Sequence, residues 1–155
     1  MSKAFTLRPI GCVHSTRDIP IDDDWDAVPA HVDLDPEQFT GEALMGLDAF
    51  SHCEVIFLFD RVLDGEIETG ARHPRGREDW PRIGIFAQRG KNRPNRLGAT
   101  VCRVVSVDGL RLTVEGLDAI HGTPVLDIKP VMSGFAPRGE FREPDWSKEI
   151  MARYW

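Results

Sequence analysis

Two arginine-rich clusters and one glycine-bounded loop hold most of the side chains in this sequence that could do chemistry. Arg72-His73-Pro74-Arg75-Gly76-Arg77 and Arg89-Gly90-Lys91-Asn92-Arg93-Pro94-Asn95-Arg96 flank a short apolar run, 83–88. Guanidinium groups are forked donors matched to carboxylate or phosphate. The same arginines could equally be solvated and paired with acidic residues elsewhere, since exposed ion pairs are common and individually weak. The third segment, Gly116-Leu117-Asp118-Ala119-Ile120-His121-Gly122-Thr123-Pro124, lets backbone approach a ligand closely at its glycines. Asp118 and His121 there offer an acceptor and a titrating group, or else Asp118 simply caps a tight turn. His52, beside an apolar run, is either a satisfied core histidine or a catalytic one. Asp127 and Lys129, two apart, share a strand face and suit an ion pair.

The familiar catalytic signatures are missing. No G-x-G-x-x-G, no G-x-x-x-x-G-K-[ST] and no G-x-S-x-G occurs. His14, His31, His52, His73 and His121 are never at metal-ligand spacing, so no metal is expected.

The elements that must position these residues are mostly strands. Residues 6–15 read as an opening strand with Pro9 at an edge or start. Residues 18–29 form a loop. Asp35-Pro36-Glu37 resembles a helix start, with a helix expected to end near Gly46. Residues 52–60 are apolar on both faces, which predicts a central, fully buried strand. A short strand is expected at 83–88. Two alternating runs, 98–107 and 110–116, are joined by Asp108-Gly109, a strong hairpin signal. Residues 124–131 read as another strand, and the tail from Pro144 as a short helix capped by Asp145. About six strands with dense turns predict an all-β fold, a small barrel or sandwich with short helical additions.

A length of 155 residues suits one domain, 1–155, with 135–155 packing as an extension. The longest apolar run, Val55 to Phe59, is far too short for a membrane span, and the N-terminus lacks a signal-like apolar stretch. Cys12, Cys53 and Cys102 lie apart without a CxxC, as in reduced thiols of a cytoplasmic protein. Net charge is −6, which argues against a nucleic-acid partner, but the charge is uneven. Residues 72–96 hold eight of the 19 basic and two of the 25 acidic residues, a basic segment on an acidic body.

Four blocks in order resemble the TsaA-like family of S-adenosylmethionine-dependent methyltransferases, which includes the tRNA methyltransferase TrmO. Pro9-Ile10-Gly11-Cys12-Val13-His14-Ser15 is similar to its IG-x-[IV]-x-S opening. Leu47-Asp48-Ala49-Phe50-Ser51-His52 before Val55-Ile56-Phe57 is similar to L-x-x-F-S-H and its strand. Gly84-Ile85-Phe86-Ala87-Gln88-Arg89 with Arg93-Pro94-Asn95 resembles G-[IV]-F-A-x-R-x-x-x-RPN. Leu117-Asp118, Gly122-Thr123-Pro124-Val125 and 126–130 resemble LD-x-x-DGTPV-x-DIKP.

The resemblance implies a small β-barrel enzyme that binds S-adenosylmethionine, forms a homodimer and methylates N6 of threonylcarbamoyl-adenosine in tRNA. The alternatives are a small-molecule acceptor, another RNA position, or a binding module without turnover. Cofactor contacts carry over onto Asp60, Arg61, Arg89, Leu97, Asp118, Ala119, Ile120 and His121. Asp60 or Trp25 could stabilise the sulfonium, and Arg89 or Arg61 the carboxylate. Candidates for acceptor binding are Arg72, His73, Arg75, Arg77, Lys91, Arg93 and Asn95. This chain departs from the family at several points: Ile21–Trp25 replaces a P-R-Q loop, Asp60-Arg61 a His-Gln pair, His121 an Asp, and Arg96 a Pro. It ends in Pro144…Trp155 where longer relatives carry a further domain.

Overall fold

Alternation of apolar and polar residues builds six strands that close on themselves. The computed structural model describes residues 2–155. In chain order the strands are β1 (Gly11–Ser15), β2 (Ala30–Leu34), β3 (His52–Leu58), β4 (Ala71–Arg72), β5 (Ile83–Gly84), β6 (Leu97–Asp108), β7 (Arg111–Glu115) and β8 (Pro124–Pro130). β1-β2-β7-β6-β3-β8 form a closed barrel, whose adjacent pairs are all antiparallel, and β4-β5 make a separate small ribbon. Closure removes the exposed edges that a six-stranded sheet would otherwise present. Every second residue points inward: Val13, Val32, Val55, Phe57, Leu112, Val114 and Val125 are all buried. The expected Asp108-Gly109 hairpin joins β6 and β7, with Gly109 at φ +57° as the turn demands.

Several local expectations are corrected. The opening strand is confined to Gly11–Ser15, because Pro9 has no N–H to donate and residues 2–9 stay exposed. β3 is half-buried: Cys53, Val55 and Phe57 face the core, while His52, Glu54, Ile56 and Leu58 are intermediate. It is central only in being hydrogen-bonded on both edges, to β6 and β8; a barrel has a single interior. The helix expected after Asp35 does not form. The Asp35 carboxylate accepts from the Glu37 N–H at 2.9 Å and from Gln38 Nε2 at 2.7 Å, closing a local turn. Two 3-10 turns, Gly41–Leu44 and Leu47–Ala49, follow, separated by Gly46 at φ +91°. The strand expected at 83–88 lasts two residues before the backbone coils into a 3-10 turn over Ile85–Ala87, which buries Ile85. β2 is an addition to the expected strands, although Ala30, Val32 and Leu34 alternate plainly. The tail helix α1 (Asp145–Met151) starts as expected, but Pro144 occupies the cap position and no side chain caps it.

Gly11 lies where β1 and β2 come unusually close. A Cβ there would sit 2.2 Å from the Asp33 carbonyl oxygen, a backbone atom that cannot yield without parting the strands. Gly11→Ala is therefore expected to cost about 1–3 kcal/mol, as overpacking does. An unchanged urea midpoint for this variant would contradict the close-approach explanation. No helix among the described residues is long and apolar enough to cross a membrane.

Candidate functional site

The basic segment is one long insertion between β3 and β6, and its two arginine clusters meet. They flank a short strand and could share a groove only if the chain doubled back, which it does. β4 pairs with β5, and the 3-10 turn that follows swings Gln88 inward. Gln88 is buried, and its Nε2 donates to the carbonyls of Arg72 (3.1 Å) and Ile83 (3.0 Å). Arg72 Nη1 donates to Asn92 Oδ1 at 3.2 Å, and its guanidinium lies over Gly90, where a Cβ would meet Nη2 at 2.6 Å. Arg93 Nη1 donates to the Gln88 carbonyl at 2.7 Å. Arg75, Asn95 and Arg96 hold left-handed backbone conformations, with φ of 53°, 62° and 54°. Such conformations are uncommon for residues with a Cβ and frequent at binding sites.

Most of these arginines are already engaged. Arg75 pairs with Asp23 at 3.0 Å, Arg96 donates to the Val62 carbonyl, and Arg77 pairs with Asp79 while lying 4.0 Å above the Trp80 ring. His73 Nδ1 lies 2.8 Å from the Trp80 carbonyl and can donate to it. The segment's charge thus serves partly to fasten an irregular loop that has no core of its own.

Between this insertion, the β3–β6 wall and the C-terminal tail lies a cleft of about 1940 Å³. Small-molecule sites are typically ~300–1,000 Å³, so the cleft has room for two reactants side by side. Its floor includes Asp118, from the loop linking β7 to β8. Thr100 Oγ1 donates to Asp118 Oδ1, and the Tyr154 hydroxyl donates to Asp118 Oδ2. Asp118 therefore ties β6 to the tail rather than capping its own turn. Burial, followed by the Asp118 charge, pushes the Tyr154 phenol well above its usual range, so it remains a neutral donor. The tail is held down by further bonds: Asp24 N–H to the Arg153 carbonyl (3.0 Å), Trp25 N–H to the Tyr154 carbonyl (2.8 Å), and Trp80 Nε1 to Glu149 Oε2 (2.7 Å).

Of the residues singled out in the sequence for the cofactor, Asp60, Arg61, Arg89, Leu97, Asp118, Ala119 and Ile120 line this cleft; His121 does not. His121 Nδ1 accepts from the Ser15 N–H at 3.3 Å on the other side of the loop. Arg89 Nη2 donates to the Ala99 carbonyl, and Arg61 Nη1 to the Asp18 carbonyl at 2.8 Å. Of the acceptor candidates, Arg72, Arg75, Lys91, Arg93 and Asn95 line the cleft, whereas His73 and Arg77 lie behind it against Trp80. Trp25 is buried and one of its faces is covered by the Arg17 guanidinium at 4.3 Å, so that face is taken by a cation already. His52 stands at the cleft's edge with Nδ1 2.7 Å from Ser51 Oγ. Thr100 and Tyr154 had no signal in the sequence: a threonine within a strand and a tyrosine in a tail become site residues only through contacts with Asp118 spanning 18 and 36 positions.

A model of the tRNA-methyltransferase O N-terminal domain family matches residues 11–136. The chain is 36% identical over 102 residues to a human protein named tRNA (adenine(37)-N6)-methyltransferase, a match covering 66% of this chain and 23% of that one. It is 34% identical over 141 residues to a probable S-adenosyl-L-methionine-binding protein of Pyrococcus abyssi, covering 87% and 72%. Among solved structures it resembles TrmO from Pseudomonas aeruginosa, with TM-score 0.72 and 28% identity over 90% of this chain and 62% of that one. The chain thus spans about a quarter of the human relative's length and under two thirds of the bacterial structure.

Proposed function

Since the chain belongs to the tRNA-methyltransferase O N-terminal domain family, we propose that it is an S-adenosylmethionine-dependent methyltransferase acting on N6 of threonylcarbamoyl-adenosine in tRNA. In this reading it works in the cytoplasm as a homodimer. The observation that carries the proposal is convergence: the second, third and fourth sequence blocks, through His52 and Phe57, Gln88 to Asn95, and Asp118 and Thr123, all reach one cleft.

The cleft's side chains fit that cofactor. When bound, S-adenosylmethionine supplies a methyl group on a sulfonium centre. Arg89, exposed in the cleft, would take the carboxylate as a charge-assisted pair. Leu97 and Ile120 would give apolar surface for the adenine, and the Asp118 carboxylate, already accepting from Thr100 and Tyr154, lines the same cleft. Arg72, Arg75, Lys91, Arg93 and Asn95 would border the acceptor, with Arg75, Lys91 and Asn95 exposed toward a phosphate backbone. His73 and Arg77 brace the loop from behind. In the transfer the carbon–sulfur bond would break as the carbon–N6 bond forms, with the N6 proton passing to water, while Arg89 holds the donor and the basic loop the acceptor. Alignment of the two centres by the cleft walls can supply much of the rate.

Incubation with methyl-labelled S-adenosylmethionine and total tRNA tests the acceptor, with label expected in the N6-methylated nucleoside after digestion. Calorimetry tests the cofactor alone: absence of binding at high micromolar ligand sinks the proposal, whereas binding without label in tRNA removes only the acceptor. Arg89→Ala is expected to weaken cofactor binding about 10- to 100-fold, the loss of one charged hydrogen-bonded contact. An unaltered dissociation constant would refute the role given to Arg89. Sedimentation of the purified chain tests the homodimer.

A further inference from the structure

The outer face of β1 and β2 carries a cluster the cleft does not use. Because both strands present alternate residues to one side, Cys12 and His14 on β1 share a face, as do His31 and Asp33 on β2. The antiparallel register sets Cys12 opposite Asp33 and His14 opposite His31, so the four side chains form a square. The sequence separates the two pairs by a loop, and neither C-x-H nor H-x-D alone has metal-site spacing; the strand pairing creates the group. None of the four lines the cleft.

We propose that His14, His31 and Asp33, with Cys12 as fourth ligand, bind a divalent transition-metal ion of the zinc type. One donor atom from each of His14, His31 and Asp33 can be chosen so that all lie within 4.8 Å of one another; Cys12 stands outside that group, beside His14, and would join by turning its thiol toward the ion. His14 Nε2 and His31 Nε2 stand 3.4 and 3.6 Å from Asp33 Oδ2, and Cys12 Sγ stands 3.5 Å from His14 Nε2. The two nitrogen–oxygen separations are long for N–H···O hydrogen bonds. They are close to the edges of a ligand tetrahedron: bonds of about 2.1 Å to nitrogen or oxygen and about 2.3 Å to sulfur imply edges of roughly 3.4 and 3.6 Å. The imidazole rings are stacked, with centroids 4.9 Å apart and planes within 10°, so both rings must tilt before their in-plane lone pairs meet at one point. All four residues are half-buried, open enough for an ion to enter.

The surroundings support the assignment. Arg111 grips Asp33 with both arms, Nε donating to Oδ1 at 2.7 Å and Nη2 to Oδ2 at 2.9 Å, so the carboxylate's orientation is fixed and an ion would take the remaining lone pair of Oδ2. The Arg111 charge opposes a cation, and the Cys12 thiol offsets this by releasing its proton to solvent as the thiolate binds. Imidazole and thiolate select zinc, cobalt, nickel or copper over magnesium or calcium.

The test uses the untagged full chain, stripped by chelator and titrated with cobalt(II), then with zinc as competitor. One equivalent of cobalt should bind with the visible bands of a tetrahedral site and a thiolate-to-cobalt charge-transfer band, and zinc should displace it. Cys12→Ser should abolish the charge-transfer band while keeping one bound equivalent. His14→Ala and His31→Ala should each weaken binding at least about tenfold, with circular dichroism confirming that the barrel is intact. Absence of stoichiometric binding at tens of micromolar cobalt or zinc overturns the proposal. So does binding that survives a folded His14→Ala/His31→Ala double variant, and a bound ion without the charge-transfer band overturns the assignment of Cys12.

Discussion

Asp118→Ala is expected to lower the melting temperature by on the order of 10 °C and to release the C-terminal tail. The substitution removes the acceptor of two hydroxyls at once, those of Thr100 and Tyr154. Thr100 is buried and Tyr154 half-buried, so neither recovers full hydration where it stands. Each buried polar group left unpaired costs about 1–3 kcal/mol. In a chain of this size each 1 kcal/mol moves the midpoint by about 2–4 °C. Tyr154 can escape its share by swinging out, which would loosen the bonds of Asp24 and Trp25 to the tail backbone. Thermal melts measure the first effect, and limited proteolysis near residues 140–155 measures the second. Asp118→Asn should fall between wild type and Ala, because its amide still accepts one hydroxyl but offers N–H to the other. A melting temperature unchanged in Asp118→Ala would show that this carboxylate does not join the tail to the barrel.

The second large effect is expected in alkali. Burial pushes the Cys53 thiol up to about 11 from an ordinary 9.0. Cys102 faces it across the β3–β6 ladder and is pushed up further, by burial first and then by Cys53 and Asp118. Tyr154 is pushed up from 10.0 by burial and by Asp118. In each case the folded pKa exceeds the unfolded one, so the unfolded chain gives up its protons first. The stability these groups contribute is complete below pH 9 and is lost as pH climbs through the 9–11 window and beyond. Each group ionised only in the unfolded state steepens the loss by about 1.4 kcal/mol per pH unit. Urea midpoints between pH 8 and 11 should therefore fall, and Cys53→Ala/Cys102→Ala should flatten the fall. Equal slopes for the double variant and the wild type would assign the alkaline loss to other groups. The same burial predicts that iodoacetamide modifies half-buried Cys12 well before Cys53 or Cys102 in the folded, chelator-stripped chain.

The positions of the barrel strands were mostly legible because one buried face per strand leaves a period of two in the sequence. β7 and the Asp108-Gly109 turn were plain for that reason. β3 misled because Val55-Ile56-Phe57-Leu58 is apolar at every position, although only alternate residues reach the interior. The turn after Asp35 misled differently: its side chain bonds the backbone two residues on, and that local contact outcompetes a helix whose apolar stripe would have been thin. In the candidate site, the loop chemistry of Arg89 and Asp118 could be singled out from residue type and family resemblance, but not their partners.

The sequence by itself determined the fold class, the place of the basic insertion and the family, because these depend on local patterning and on motifs a few residues long. Tertiary structure alone decided what the arginines between 72 and 96 do. Arg72 and Arg93 reach across their own loop to Gln88 and Asn92, and Arg77 lies on Trp80, so that much of an apparent binding charge is spent on holding backbone. It also decided that Tyr154 meets Asp118 and that His14 meets His31. Such contacts join residues far apart in the chain, and their geometry comes from strand register and barrel closure, which no short window of sequence contains.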